Sequence, residues 1–149
     1  MAAPRTEIRV DKTRLTRMLR REPVLTLRLL KNIATVGKAD VINSMRKSPP
    51  DDTRGYRKGG RFFQSSIPGN PPRRATGDLI KLMKVKKVGR AEYAIESNAP
   101  QSADLEFGNP DDNLLPRPYM GPMAMRLVRK MRGAGIMVVA RNYVTRRDL

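Results

Sequence analysis

The chain has 149 residues, with 31 Lys and Arg against 14 Asp and Glu, a formal net charge of +17 and a pI near 11.2. It contains no Cys and no His, which excludes disulfide stapling, thiolate or imidazole metal ligation, and every Cys–His or Ser–His catalytic pair. No apolar run approaches the roughly 20 residues that a membrane-spanning helix needs, and Met1-Ala2-Ala3-Pro4-Arg5 has no signal-peptide core.

This length is that of a single domain, residues 1–149, able to bury a real core. With three Phe and no Trp, that core must rest on Leu, Ile, Val and Met, and nine Met suit irregular contact surfaces. The excess positive charge disfavours an isolated compact state through self-repulsion and raises the local concentration of anions. A solvated basic face is the plain reading. Nucleic acid, or acidic neighbours in an assembly, would relieve the charge.

Residues 1–10 read as a tail with a short strand at 7–10. Asp11 can cap a helix over 12–21, in which Leu15, Met18 and Leu19 have helical spacing. Pro23 fits the first turn of a second helix, where its missing N–H costs nothing. From 24 to about 47 the pattern is helical: Leu27, Leu30, Ala34, Val41 and Met45 form one stripe, widened by Leu29, Ile33 and Val36. Such a helix is about 36 Å long at 1.5 Å per residue, and reads either as a core helix or as a helix shared between subunits.

Residues 48–78 read as a long irregular arm. Arg54, Arg57, Lys58 and Arg61 interleave with Tyr56, Phe62 and Phe63, as in single-strand nucleic-acid platforms; the rival reading is an assembly arm that anchors its aromatics on a neighbour. The end of this segment, Ser66 to Leu79, holds Pro68, Pro71 and Pro72, which force extended backbone, and Gly69 and Gly77, which can take positive φ.

The period then shifts to two. Residues 81–88 and 91–97 read as a β-hairpin turning at Gly89-Arg90, with Leu82, Met83, Val85 and Val88 as apolar contacts and Tyr93 and Ile95 on one face. Lys81, Lys84, Lys86 and Lys87 form a cationic set, either guarding a sheet edge or lining a passage for DNA. Leu105 and Phe107 alternate with Glu106, which predicts a strand whose Glu106 points away from the core. Residues 109–113 form an acidic turn without calcium-loop spacing. A helix follows from about 120 to 132, with Met123, Leu127 and Met131 spaced by four, stopped by Gly133 and Gly135. A short strand at 136–140 and a basic tail at 141–149 complete the chain. There is no phosphate-binding Gly-Lys loop, dinucleotide fingerprint, helical metal motif or nucleophile elbow, so the sequence reads as no enzyme, with no cofactor and no metal.

Three segments carry a resemblance. Ser66-Ile-Pro-Gly-Asn-Pro-Pro-Arg-Arg-Ala-Thr-Gly-Asp-Leu79 resembles the Pro-Gly-x-Pro-Pro…Thr-Gly-x-Leu signature of the neck, or tail-completion, proteins of long-tailed (siphovirus-type) bacteriophages. Ala103-Asp-Leu-Glu-Phe-Gly108 is similar to that family's Leu-Glu-Phe-Gly segment, and Arg117-Pro-Tyr-Met-Gly-Pro-Met123 to its Arg-Pro-Phe-Met-x-Pro segment. The three occur in the family's order, with Ser102, Asn109 and Tyr119 where it has Tyr, Thr and Phe.

The resemblance implies a structural virion protein, made in the host bacterial cytoplasm. It would complete the tail and join it to the head-side connector as a homo-oligomeric ring, a hexamer or another closed multiple. Its partners would be copies of itself, the connector or stopper, the tail-tube or tail-terminator protein, and the double-stranded DNA in the channel, with no membrane. Assembly contacts would then fall on Pro68, Gly69, Pro71, Pro72, Gly77, Glu106, Phe107, Gly108, Arg117, Pro118, Tyr119 and Met120, with Arg117 paired to Glu106 within or between subunits and Tyr119 as an apolar interface anchor. DNA would face Arg54, Arg57, Lys58, Arg61, Lys81, Lys84, Lys86 and Lys87. The competing reading is a basic, sequence-independent nucleic-acid-binding module of ribosomal type. The expected fold is α+β: a long N-terminal helix and a C-terminal helix packed on a small antiparallel sheet, with the 48–78 arm outside.

Overall fold

A computed structural model describes residues 5–8, 12–73 and 77–132. In chain order its elements are β1 (Arg5–Ile8), α1 (Lys12–Arg21), α2 (Pro23–Lys47), β2 (Pro50–Lys58), β3 (Arg61–Ser66), α3 (Asp78–Lys81), β4 (Met83–Gly89), β5 (Glu92–Ser97), α4 (Ser102–Phe107) and α5 (Met120–Arg132). The fold is α+β, as the sequence predicts.

Helix α2 is the spine. Pro23 occupies its first turn, and the carbonyl of Glu22 accepts from both the N–H of Thr26 at 3.0 Å and its hydroxyl at 2.7 Å. Leu30, Ile33, Ala34, Gly37, Val41 and Met45 are its inward face, spaced by three or four as one side of a helix requires. Each fully buried large side chain among them stabilises the fold by about 1.5–3 kcal/mol. Gly37 marks the closest approach: a Cβ there would lie 2.7 Å from Ile95 Cδ1 and 3.2 Å from Met123 Sδ. The helix ends at Ser48, whose backbone is extended, ahead of the Pro49-Pro50 pair that cannot continue it.

The sheet is antiparallel, in the order β1-β5-β4. Opposed pairs Met83↔Ser97, Val85↔Ile95 and Lys87↔Tyr93 share the face that meets α2, while Lys84↔Glu96 and Lys86↔Ala94 share the other. Helix α5 lies on α2 and completes the core with Met120, Met123 and Leu127, and Arg126 Nε meets Asp40 Oδ2 at 2.7 Å across the two helices. Three methionines pack in one cluster with Met45, where flexible thioethers fill an irregular space between helix and sheet.

Several expectations are corrected. Strand β1 runs over Arg5–Ile8, starting before the expected 7–10, of which 9 and 10 lie outside the described residues. Leu29 and Val36 are exposed, as is Met18, so the apolar stripe of α2 is narrower than the sequence implies. The arm at 48–78 is not irregular throughout: β2 and β3 form a hairpin that turns at Gly59 and Gly60, both with positive φ (56° and 74°). Such a turn matches the twist of the strands it joins. Tyr56 stacks on its cross-strand partner Phe63 with centroids 5.7 Å apart, and the Phe62 ring lies over Gly55, where any Cβ would collide with it. Among the described residues after β3, 67–70 form a turn closed by the Asn70 N–H on the Ile67 carbonyl at 3.1 Å, with Gly69 at φ 83°, and 71–73 have no regular structure; Gly77 takes φ 84°.

The segment 99–108 is also corrected, from a strand to the short helix α4, with Glu106 buried and Phe107 exposed. The expected cap Asp11, the side chain of Leu15, the stop at Gly133 and Gly135, the strand at 136–140 and the tail at 141–149 lie outside the described residues.

Candidate functional site

The three signature segments, separate in sequence, meet at the start of α5. The N–H of Arg117 donates to the Leu105 carbonyl at 2.6 Å, and the N–H of Gly69 to the Pro116 carbonyl at 2.9 Å. The Arg117 side chain runs back to the first segment, its Nε donating to the Ser66 carbonyl at 3.0 Å and its Nη1 to that of Leu115 at 3.2 Å. The third piece thus holds the other two.

Glu106 supplies the central contact. Its Oε2 accepts from the backbone N–H of Tyr119 (2.9 Å) and of Met120 (3.0 Å), and its Oε1 from that of Gly121 (2.9 Å). A helix leaves its first four N–H groups without intrahelical partners. Here the fourth position is Pro122, which has none, so one carboxylate and one proline satisfy the whole first turn. The charge also sits at the positive end of the helix dipole. Gly121 permits the approach, since a Cβ there would lie 3.2 Å from Glu106 Oε1. The expected Arg117–Glu106 pair within the chain is therefore replaced: Glu106 is consumed by backbone N–H groups and Arg117 by carbonyls. The signal was present in the sequence as a proline two residues into α5, but its carboxylate partner lies 14 residues upstream in the chain, beyond any local capping pattern.

Tyr119, expected as an interface anchor, is fully buried within the chain. Its hydroxyl lies beside Ser97 and Ser102, whose own hydroxyls bond each other at 2.5 Å, and it makes no aligned hydrogen bond. Burial raises the Tyr119 phenol above its ordinary range, with the charge of Glu106 adding to this and the neighbouring serine hydroxyls opposing it. Met120, Pro72 and Gly77 are buried too, Pro68, Pro71, Gly108 and Pro118 are half-buried, and only Gly69 and Phe107 of the expected contact set are exposed.

Next to this junction opens a cavity of about 400 Å³. One wall is the hairpin, through Tyr56, Lys58 and Ser66; another is formed by Pro72, Leu79 and Ile80. Met45, Leu105, Leu114 and Arg117 close it. Arg117 is 5% exposed, and no carboxylate lies within ion-pair distance of it among the described residues. Burial lowers its pKa, the nearby Arg54 charge lowers it further, and the more distant Asp51 opposes both; the guanidinium remains a cation at any ordinary pH. The Asp51 carboxyl is itself held below the usual carboxylate range, first by the hydroxyl and N–H of Thr53.

The candidate DNA-facing residues divide into two groups. Arg54, Arg57, Lys58 and Arg61 are exposed on the hairpin beside exposed Tyr56 and Phe62, with Lys58 Nζ 3.3 Å from Asp78 Oδ2. Lys81, Lys84, Lys86 and Lys87 are exposed on or beside the edge strand β4, but Lys84 and Lys86 point to the face opposite that of Lys87. They therefore do not form one stripe. Among the described residues no acidic cluster could hold a metal ion, and no helix is long and apolar enough to cross a membrane. Comparison with protein-family models, curated proteins and solved structures gives no match.

Proposed function

We propose that this chain is a structural subunit of a bacteriophage neck, acting by contact rather than by catalysis. In this reading copies close into a ring between the head-side connector and the tail, around the DNA channel. The observation that carries the reading is the convergence of the three signature segments. Residues 66–79, 103–108 and 117–123 resemble one family's motifs in sequence, and the third bonds to each of the other two at the start of α5. Segments that must fit together are expected to be retained together, which gives their co-occurrence a physical reason.

The surface is compatible with such a role. The hairpin stands out from the core with both aromatic and cationic side chains exposed, a composition suited to contact with an adjacent subunit. A chain of net charge +17 gains from acidic neighbours or DNA. Heterologous contacts that repeat around an axis close into a ring and let one small subunit surround a channel.

A second reading, a sequence-independent nucleic-acid-binding module, is favoured by the exposed Arg54, Arg57 and Arg61 next to Tyr56 and Phe62. One genetic test separates the two. Removing the gene from its phage should leave DNA-filled heads and separate tails, countable by electron microscopy, and supplying the chain in trans should restore joined virions. Intact virions without the gene, together with salt-sensitive binding of the purified chain to DNA, would favour the second reading.

A further inference from the structure

The cavity beside the junction holds two buried polar groups that the chain leaves incompletely used. The Ser66 hydroxyl is 1% exposed and has no hydrogen-bond partner. Arg117 spends Nε and Nη1 on carbonyls, yet its charge is balanced by no adjacent carboxylate among the described residues. A buried guanidinium bonded only to neutral oxygens keeps most of its desolvation penalty, and a carboxylate would offset it. Lys58, which also lines the cavity, adds a second positive charge near the rim, partly answered by Asp78.

The rest of the lining is mixed: Leu79, Ile80, Leu105 and Leu114 form an apolar side, and Arg73 and Asp78 add one charge of each sign. A fully hydrated phosphate on a nucleic-acid backbone gains nothing from that apolar side, whereas an aliphatic side chain beside a carboxylate does. A volume of about 400 Å³ is room for a few side chains, not for a duplex. We propose that this cavity is a socket for an acidic peptide segment of another subunit, an Asp or Glu with aliphatic neighbours, the carboxylate meeting Arg117. This deepens, and rests on, the reading of the chain as an assembly subunit. It also moves the role of Arg117: through its free edge it receives a neighbour's acid instead of the chain's own Glu106.

The test uses the isotopically labelled full chain and NMR, with two capped tripeptides as probes, Leu-Asp-Leu and Leu-Asn-Leu, and inorganic phosphate as a third. Leu-Asp-Leu should shift the Arg117 Nε–H resonance and the methyls of Leu79, Ile80 and Leu105 in one saturable titration that weakens with added salt. Leu-Asn-Leu should bind roughly tenfold more weakly or worse, the loss expected when a buried charge goes unanswered. Phosphate should move the Arg117 signal without the methyls. Arg117→Lys keeps the charge but loses the fork and should weaken the acidic peptide. Because that variant also disturbs the bond to Ser66, Leu79→Trp provides a second arm: it puts a larger side chain into the lining and should abolish binding while circular dichroism and cooperative thermal unfolding show the chain still folded.

Equal binding of the two peptides, tighter binding of phosphate than of Leu-Asp-Leu, no shift of Arg117 at about 10 mM peptide, a concentration where even ~mM affinity shows, or unchanged binding in Leu79→Trp would each overturn the socket. None of these results would alter the outcome of the gene-removal test, so failure of the socket and failure of the neck reading remain distinguishable.

Discussion

Glu106 shows how much one side chain can organise. It is buried, charged, and bonded to three backbone N–H groups contributed by the segment that opens α5. Replacing it with Ala strands those donors in the interior and should cost about 3 kcal/mol or more, since hydrogen bonds to a charged acceptor each contribute about 1.5–3 kcal/mol. Glu106→Gln keeps the shape but sets an NH₂ against a backbone N–H, and should fall between the two. Urea unfolding of the three proteins checks the order; a Glu106→Ala variant as stable as the parent would remove the carboxylate from its central place.

Tyr119 offers the contrasting case, a buried ring whose hydroxyl has no aligned partner. Tyr119→Phe should therefore be neutral or slightly stabilising at pH 7, within about 1 kcal/mol. Its raised pKa adds a sign that can be tested. The folded phenol holds its proton more tightly than the unfolded one, so this contribution is complete below the ordinary tyrosine value of about 10 and is lost as pH rises through the folded value. The Phe variant should lose less stability than the parent between about pH 9 and 11, measured by denaturant midpoints.

At the scale of elements, α2, α5 and the β4–β5 hairpin were legible in the sequence because each buries one face and so writes its period into the residues: Leu30, Ala34, Val41 and Met45 on α2, Met123 and Leu127 on α5, Tyr93 and Ile95 on β5. The hairpin of β2 and β3 was not. Strand β2 is exposed almost throughout, so no apolar alternation marks it, and its register rests on a two-glycine turn and an aromatic pair. Helix α4 was misread for the opposite reason. Leu105, Glu106 and Phe107 alternate by type, yet it is Glu106 that goes inside, because its partners lie across a tertiary contact. The candidate site was legible as three segments but not as one place.

The packing of α2 on β5 and α5 gives a prediction at this same scale. Gly37→Ala would press a methyl against Ile95, Met123 and Leu127, and overpacking of this kind costs about 1–3 kcal/mol. The closest approach is to Ile95 Cδ1 at 2.7 Å, the tip of a fully buried side chain that must shift even if Met123 yields. Thermal unfolding reads it directly. A Gly37→Ala variant more stable than the parent would mean that helix propensity outweighs the crowding.

For the whole molecule, the central claim is that the chain is one subunit of a ring around the DNA channel of a phage neck. The junction of the three segments sets the pose of α5, and under that claim the exposed hairpin and the cavity beside it would be the surfaces that meet neighbours. The most direct measurement is an electron cryomicroscopy reconstruction of the head–tail junction in the phage that carries this gene. The account predicts a closed ring of this chain between connector and tail, with the hairpin of β2 and β3 against an adjacent subunit and an acidic side chain seated at Arg117. Virions whose junction is complete and contains no copy of the chain would contradict it.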